Sequence, residues 1–181
     1  GAGNESKNYE DINKELSNLT FLSMRYNTGS MISGEGENLK VVGGNATERA
    51  LLNYVAKYDS SRNFNITVKD TIPFNSTNKY SASEITGDYN ITLIKGAPEK
   101  ILNKCKYYYD EDGQKHDFLS KKDDLNKKID ALANRAIRVL ALAVSESEIE
   151  NESLPEDEWT LVGVVGIRDE VRPESIESIA E

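Results

Sequence analysis

The stretch Ile72-Pro73-Phe74-Asn75-Ser76-Thr77-Asn78-Lys79-Tyr80 decides the architecture of this chain. Its front closes a run rich in β-branched residues that begins at Ile66, and its back opens a second run from Tyr80 to Ile85. β-Branched and aromatic residues suit a pleated, half-buried surface, whereas Asn, Ser and Thr offer the backbone local hydrogen bonds that interrupt it. The nine residues therefore read as strand, polar turn, strand. Thr86-Gly87-Asp88 marks another turn, after which Tyr89 to Ile94 forms a third strand leading into Lys95-Gly96-Ala97-Pro98-Glu99. Strands joined by such short turns pair antiparallel.

Working outward, residues 8–25 place Ile12, Leu16, Leu19, Phe21, Leu22 and Met24 on a helical stripe, and residues 27–38 read as a polar loop. Leu39 to Val42 is a short strand. Asn45 or Thr47 opens a helix with Ala50, Leu51, Tyr54, Val55 and Tyr58 at helical spacing. Beyond the hairpin region, Pro98 sits where a first helical turn tolerates it. Tyr107 to Phe118 reads as a hairpin turning at Asp112-Gly113, and Ser120 as the cap of a helix whose Leu125, Ile129 and Leu132 face inward. Val139 to Val144 and Trp159 to Ile167 are strands, separated by an acidic segment expected to be mobile. Residues 168–181 are expected to leave the domain. The sum is an α+β fold, a mostly antiparallel twisted β-sheet flanked by helices. Neither G-x-G-x-x-G nor G-x-x-x-x-G-K-S/T occurs, so a nucleotide would have to be held by side chains and not by a glycine-rich backbone cradle.

The 181 residues carry 22 Lys and Arg against 31 Asp and Glu, a formal charge of −9. Such a surface repels nucleic acid and anionic lipid, and neither is expected as a partner. No apolar run approaches the ~18 residues that cross a bilayer. Cys105 and His116 are the only residues of their types, which excludes an internal disulfide and leaves metal or triad chemistry resting on one histidine. Both are assigned to structure. In so acidic a chain an anionic ligand needs a local positive site, and Lys79, Lys95 and Arg138 lie near or within strands. Arg138, between Ile137 and the apolar Val139 and Leu140, needs a partner, either a phosphate taken bidentately or a structural carboxylate.

Several strings, in order, resemble the nucleotide-binding domain of P-type cation-transporting ATPases of the P2 class. Gly44 to Leu51 is similar to the family's G-x-x-T-E-x-A-L, Phe74 and Lys79 to its P-F-x-S-x-x-K, and Lys95 to Glu99 to its K-G-A-P-E. Arg138 to Ala143 resembles its R-x-L-A-x-A, and Val162 to Pro173 its V-G-L-x-G-x-x-D-P-P-R. Glu170-Val171 stands where the family has Pro-Pro, and Ser76 where many calcium pumps carry arginine. The string from Ile72 to Tyr80 resembles the sodium/potassium and proton/potassium pumps, whereas the overall brevity resembles bacterial calcium-type pumps.

The resemblance implies ATP or ADP as ligand, with Mg-ATP in an intact pump. Its implied site is Thr47, Glu48, Phe74, Lys79, Lys95, Gly96, Arg138 and Leu140. Phe74 stacks on the purine or is simply core; Glu48 accepts from the adenine amino group or serves only its helix dipole. Lys79 and Lys95 meet phosphate or are solvated surface. Thr47 caps its helix, contacts ligand, or both. Residues 4–167 are then the nucleotide-binding domain and 168–181 a stub leading to a phosphorylation domain. The D-K-T-G and T-G-E motifs do not occur in this sequence, so the chain is expected to bind ATP without hydrolysing it. Its partners would be the phosphorylation and actuator domains of the same plasma-membrane pump, on the cytoplasmic side, without direct membrane contact. The ion is expected to be calcium, with a sodium/potassium-type pump as the alternative. An acidic protein-interaction module is the rival from another class.

Overall fold

The computed structural model describes residues 13–34, 36–56 and 62–167, and the backbone of 168 and 176–179. Ile12, Tyr58 and the return segment from Asp169 to Pro173, including Glu170-Val171, lie outside the described residues. Helix α1 (Lys14–Tyr26) starts where the Asn13 side chain accepts hydrogen bonds from the backbone N–H groups of Glu15 and Leu16. Its apolar stripe is fully inward: Leu16, Leu19, Phe21, Leu22 and Met24 are all buried.

The segment read as a loop holds strand β1 (Ser30–Ser33), which pairs antiparallel with β2 (Lys40–Gly43) in a separate two-stranded ribbon. Neither strand shows an alternating apolar pattern, because most of the ribbon faces solvent, and that hid β1 in the sequence. Helix α2 (Ala46–Ala56) follows. The three hairpin strands are β3 (Ile66–Ile72), β4 (Tyr80–Gly87) and β5 (Ile91–Gly96). After the single-turn α3 (Pro98–Ile101) come β6 (Cys105–Tyr109) and β7 (Lys115–Asp117), paired antiparallel. Helix α4 (Lys122–Asn134) leads to β8 (Ile137–Ser145) and β9 (Trp159–Arg168).

Among the described residues the main sheet has eight strands in the order β3-β4-β5-β8-β9-β6-β7. The eighth, β10 (Ile176–Ile179), pairs antiparallel with β9 beside β6, so these four residues stay with the sheet where the sequence reading had the chain leaving. Every pairing is antiparallel except β6 with β9. The strand period of two divides the core between the faces. On β8, Leu142 and Val144 pack with α1 and α2, while Ala141 and Ala143 pack with α3 and α4. On β9 a bulge at Val162 shifts the register against β8 and resets which residues face which layer.

Two further expectations are corrected. Ser120 does not cap α4; its hydroxyl donates to the Asp117 carbonyl within a 3-10 turn, and Lys121 precedes the helix without a side-chain cap. The acidic segment before β9, read as mobile, is tied to the sheet by hydrogen bonds. Ile149 N donates to the buried Glu84 carboxylate at 3.0 Å, Thr92 Oγ1 to Ser147 O at 2.7 Å, and Trp159 Nε1 to Pro155 O at 2.9 Å. The first two partners are on β4 and β5, so this anchoring exists only once the sheet has formed.

Leu142 is 1% exposed where the central strand meets the α1 layer. Leu142→Ala is expected to cost about 2–5 kcal/mol in denaturant unfolding, the range for a core leucine that leaves a cavity; a loss under ~1 kcal/mol would contradict this account of the core.

Candidate functional site

A cleft of about 420 Å³ opens where the N-terminal end of α2, the ends of β3 and β5 and the starts of β4 and β8 converge. It is lined by Asn45, Ala46, Thr47, Glu48, Phe74, Ser81, Lys95, Gly96, Arg138 and Leu140. The sequence-singled residues Thr47, Glu48, Phe74, Lys95, Gly96, Arg138 and Leu140 therefore meet at one place, from four stretches of the chain: α2, the segment just past β3, β5 and β8. Lys79 stands outside the lining. Its backbone has φ of 60°, its carbonyl accepts from Ala97 N at 3.0 Å, and its side chain is exposed at the adjoining turn.

The floor is a buried polar network. Glu48, 7% exposed, accepts from Asn45 N at 3.0 Å and from Gly29 N at 2.5 Å, while Glu48 N donates to Asn45 Oδ1 at 2.8 Å. Asn45 is thus the helix cap, and Glu48 completes a reciprocal capping box while holding the chain entering β1. The structural role of Glu48 is real; a carboxylate offers about four lone-pair sites, so further acceptance is still open to it. Beside it Lys95, 4% exposed, donates from Nζ to Asn27 O at 2.6 Å. The ammonium therefore points inward to the C-terminal end of α1, and only its flank borders the cleft. Burial pushes its pKa down to about 8, opposed by the nearby Glu48 charge.

The walls are more open. Phe74, just past β3, is 39% exposed and does not belong to the core. Arg138 Nη1 donates to Thr47 Oγ1 at 2.6 Å, so Thr47 serves a cross-element contact and the cap belongs to Asn45. Gly96 lets β4 come close: a Cβ there would lie 2.5 Å from Lys79 O and 2.8 Å from Tyr80 Cβ. Asn45, Ala46 and Ser81 are cleft residues the sequence reading missed. Ser81 was accessible in principle, since it pairs with Lys95 in the β4–β5 register; Asn27, 68 positions from Lys95, carried no such signal.

Charge selects this cleft for an anion. A cavity of about 470 Å³ elsewhere is lined by Glu15, Glu146, Asp157 and Glu158 against the single cation Lys115, and another of about 570 Å³ by Glu146, Glu148, Glu150, Glu156 and Asp157. Both repel phosphate. The cleft at Phe74 instead joins a ring face, an aliphatic wall and two cationic side chains, an arrangement suited to a flat heterocycle with an anionic tail. Cys105 and His116 lie elsewhere in structural settings. Burial pushes the Cys105 thiol up to about 12, and His116 Nε2 meets Asp110 Oδ2 at 2.6 Å in the β6–β7 hairpin.

A family model described as P-type ATPase, cytoplasmic domain N, matches residues 15–174. The plasma membrane-type calcium-transporting ATPase 10 of Arabidopsis thaliana is 32% identical over 166 residues, covering 81% of this chain and 15% of that protein. The calcium-transporting ATPase PAT1 of Dictyostelium discoideum is 32% identical over 143 residues, covering 75% and 13%. The plasma membrane-type calcium-transporting ATPase 10 of Oryza sativa subsp. japonica is 33% identical over 195 residues, covering 98% and 19%. The chain thus spans between 13% and 19% of the length of these relatives.

The folded chain releases the Lys95 proton near pH 8 and the unfolded chain near 10.5, so between these values the unfolded state binds more protons. Stability contributed by this group consequently rises with pH through that window. Denaturant unfolding of the wild type relative to Lys95→Met is expected to gain roughly 3 kcal/mol from pH 8 to 10.5, at about 1.4 kcal/mol per unit; parallel pH profiles would contradict the buried-ammonium account.

Proposed function

This chain belongs to the P-type ATPases as their cytoplasmic domain N, and from that premise we propose that it binds ATP in the cleft at Phe74 for a cation pump whose ion is calcium. The observation that carries the reading is the convergence, in an acidic domain, of an exposed aromatic ring with Arg138, Thr47 and Lys95 around one cleft. Adenine stacks on the Phe74 face, a contact worth about 1–3 kcal/mol. The Arg138 guanidinium, already steadied by Thr47, takes phosphate oxygens at the open mouth. Lys95 contributes positive potential from the floor without leaving Asn27.

The terminal phosphate then projects out of the cleft toward an aspartate of a phosphorylation domain, with the actuator domain as a further partner. Phosphoryl transfer depends chiefly on positioning and charge neutralisation, and this domain supplies the positioning. Among the described residues no group of three or more His, Cys, Asp or Glu is arranged to hold a metal ion. The one carboxylate in the cleft lining, Glu48, is engaged with two backbone N–H groups. The family reading assigns magnesium to the nucleotide phosphates and the neighbouring domain. The calcium assignment rests on relatives named calcium-transporting ATPases, and the same reading places the domain on the cytoplasmic side of a plasma membrane.

One stacked face and partly solvated charges give weak binding, on the order of 0.1 to several mM by calorimetry, with ADP close to ATP. Phe74→Ala is expected to weaken it more than Lys79→Ala while leaving the fold intact, because stacking is short-range and Lys79 is exposed to salt screening. Nanomolar affinity, or full binding retained by Phe74→Ala, would overturn the reading.

A further inference from the structure

Asn27 ends α1 and is 1% exposed, and its amide is fully engaged with the sheet. Nδ2 donates to Ser81 O on β4 at 3.1 Å and to Leu93 O on β5 at 3.2 Å, so both amide hydrogens go to neighbouring strands. The backbone N–H donates to Ser23 O at 3.1 Å, and the carbonyl accepts from Lys95 Nζ at 2.6 Å. Carbonyls at a helix C-terminus lack partners within the helix and carry the negative end of its dipole. Such ends fray when nothing fastens them. Here the side chain of the closing residue fastens the end to two strands, and its carbonyl meets the ammonium.

Among the described residues Lys95 Nζ makes this one hydrogen bond. Glu48 adds its charge from α2, but its oxygens already hold Gly29 N and Asn45 N. We propose that Asn27 is a positioning residue of the cleft: by tying the end of α1 to β4 and β5, its side-chain amide fixes the carbonyl that keeps the Lys95 ammonium in the floor. The proposal rests on the nucleotide reading above and adds what sets the place of its buried charge. Coulomb attraction falls with distance, and a buried charge is little screened by salt. A drift of the ammonium therefore changes its pull on an anionic tail, whereas a neutral base on Phe74 feels little of it. Asn27 does not line the cleft, so its influence on a ligand passes through Lys95.

The test compares wild type, Asn27→Leu, Lys95→Met and the double variant; leucine fills a similar space without the two donors. The titration of Lys95, followed by the NMR shifts of its Cε and Nζ, needs no nucleotide. Its midpoint, about 8 in the wild type, is expected to fall in Asn27→Leu by about one unit, the worth of a hydrogen bond to a charged group. A rise toward the value of a solvated lysine would show the ammonium released from the floor and supports the proposal equally. An unmoved midpoint overturns it. ATP affinity, read by amide-shift titration, is expected to drop roughly fivefold in Asn27→Leu, and adenosine affinity by less than about twofold. In the Lys95→Met background the same substitution is expected to cost ATP nothing further, because both act through one charge. Equal losses for ATP and adenosine, or a loss that persists in full beside Lys95→Met, make Asn27 structural and overturn the proposal. Asn27→Ser, which keeps one donor, carries the same comparisons should Asn27→Leu not fold. Absence of ATP binding by the wild type defeats the nucleotide reading, while the Lys95 titration still decides whether Asn27 holds the ammonium.

Discussion

A lysine ammonium with 4% exposure, held by one backbone carbonyl and facing a carboxylate, sets the terms for the rest of this domain. Withdrawing such a charge from water costs several kcal/mol unless partners are in place. Those partners come from three directions: Asn27 O from the end of α1, Glu48 from the first turn of α2, and the β5 backbone that carries Lys95 itself. Glu48 in turn caps α2 through Asn45 and grips Gly29 ahead of β1. Docking of both helices onto the sheet and closure of the cleft floor are therefore one event. The floor is rigid because its bonds are mutually dependent. The walls, Phe74 and the Arg138–Thr47 pair, remain exposed or half-buried at the mouth of the cleft.

The sheet was legible because its signals are local. Tyr80 to Ile94 alternates or runs apolar with turn residues between, and α1 and α2 carry apolar residues at helical spacing that are buried as read. Boundaries failed where tertiary contacts decide. Ribbon strand β1 has no apolar period because it has little to bury. Ser120 has the chemistry of a cap but bonds backward into its own turn. The acidic segment before β9 looks loose by composition, yet its backbone meets Glu84 and its Ser147 carbonyl meets Thr92, partners 65 and 55 positions away. β10 spans four residues, too few to establish a period.

The cleft was legible as a set of residues and illegible as a set of contacts. Motif resemblance named Thr47, Glu48, Phe74, Lys79, Lys95, Gly96, Arg138 and Leu140, and all but Lys79 line one cavity. Resemblance did not say that Lys95 turns inward, that Asn45 and not Thr47 is the cap, or that Arg138 leans on Thr47. Those depend on distances between elements separated by up to 91 positions. Nor did it reach Ser81, which lines the same cavity. The two larger cavities are lined mainly by carboxylates, whereas the cleft at Phe74 sets Lys95 and Arg138 against one carboxylate, in a molecule of net charge −9.

The central claim is that an adenine nucleotide lodges between Phe74 and the Lys95–Glu48 floor, and backbone amide shifts on titration with ATP test it most directly. The account predicts saturable shifts at Thr47, Phe74, Ser81, Gly96 and Arg138, with the amides of β7 at the distant edge of the sheet and of α4 on its opposite face unmoved. Shifts confined to the acidic cavity near Tyr107 and Glu146, or none at millimolar ATP, would contradict it.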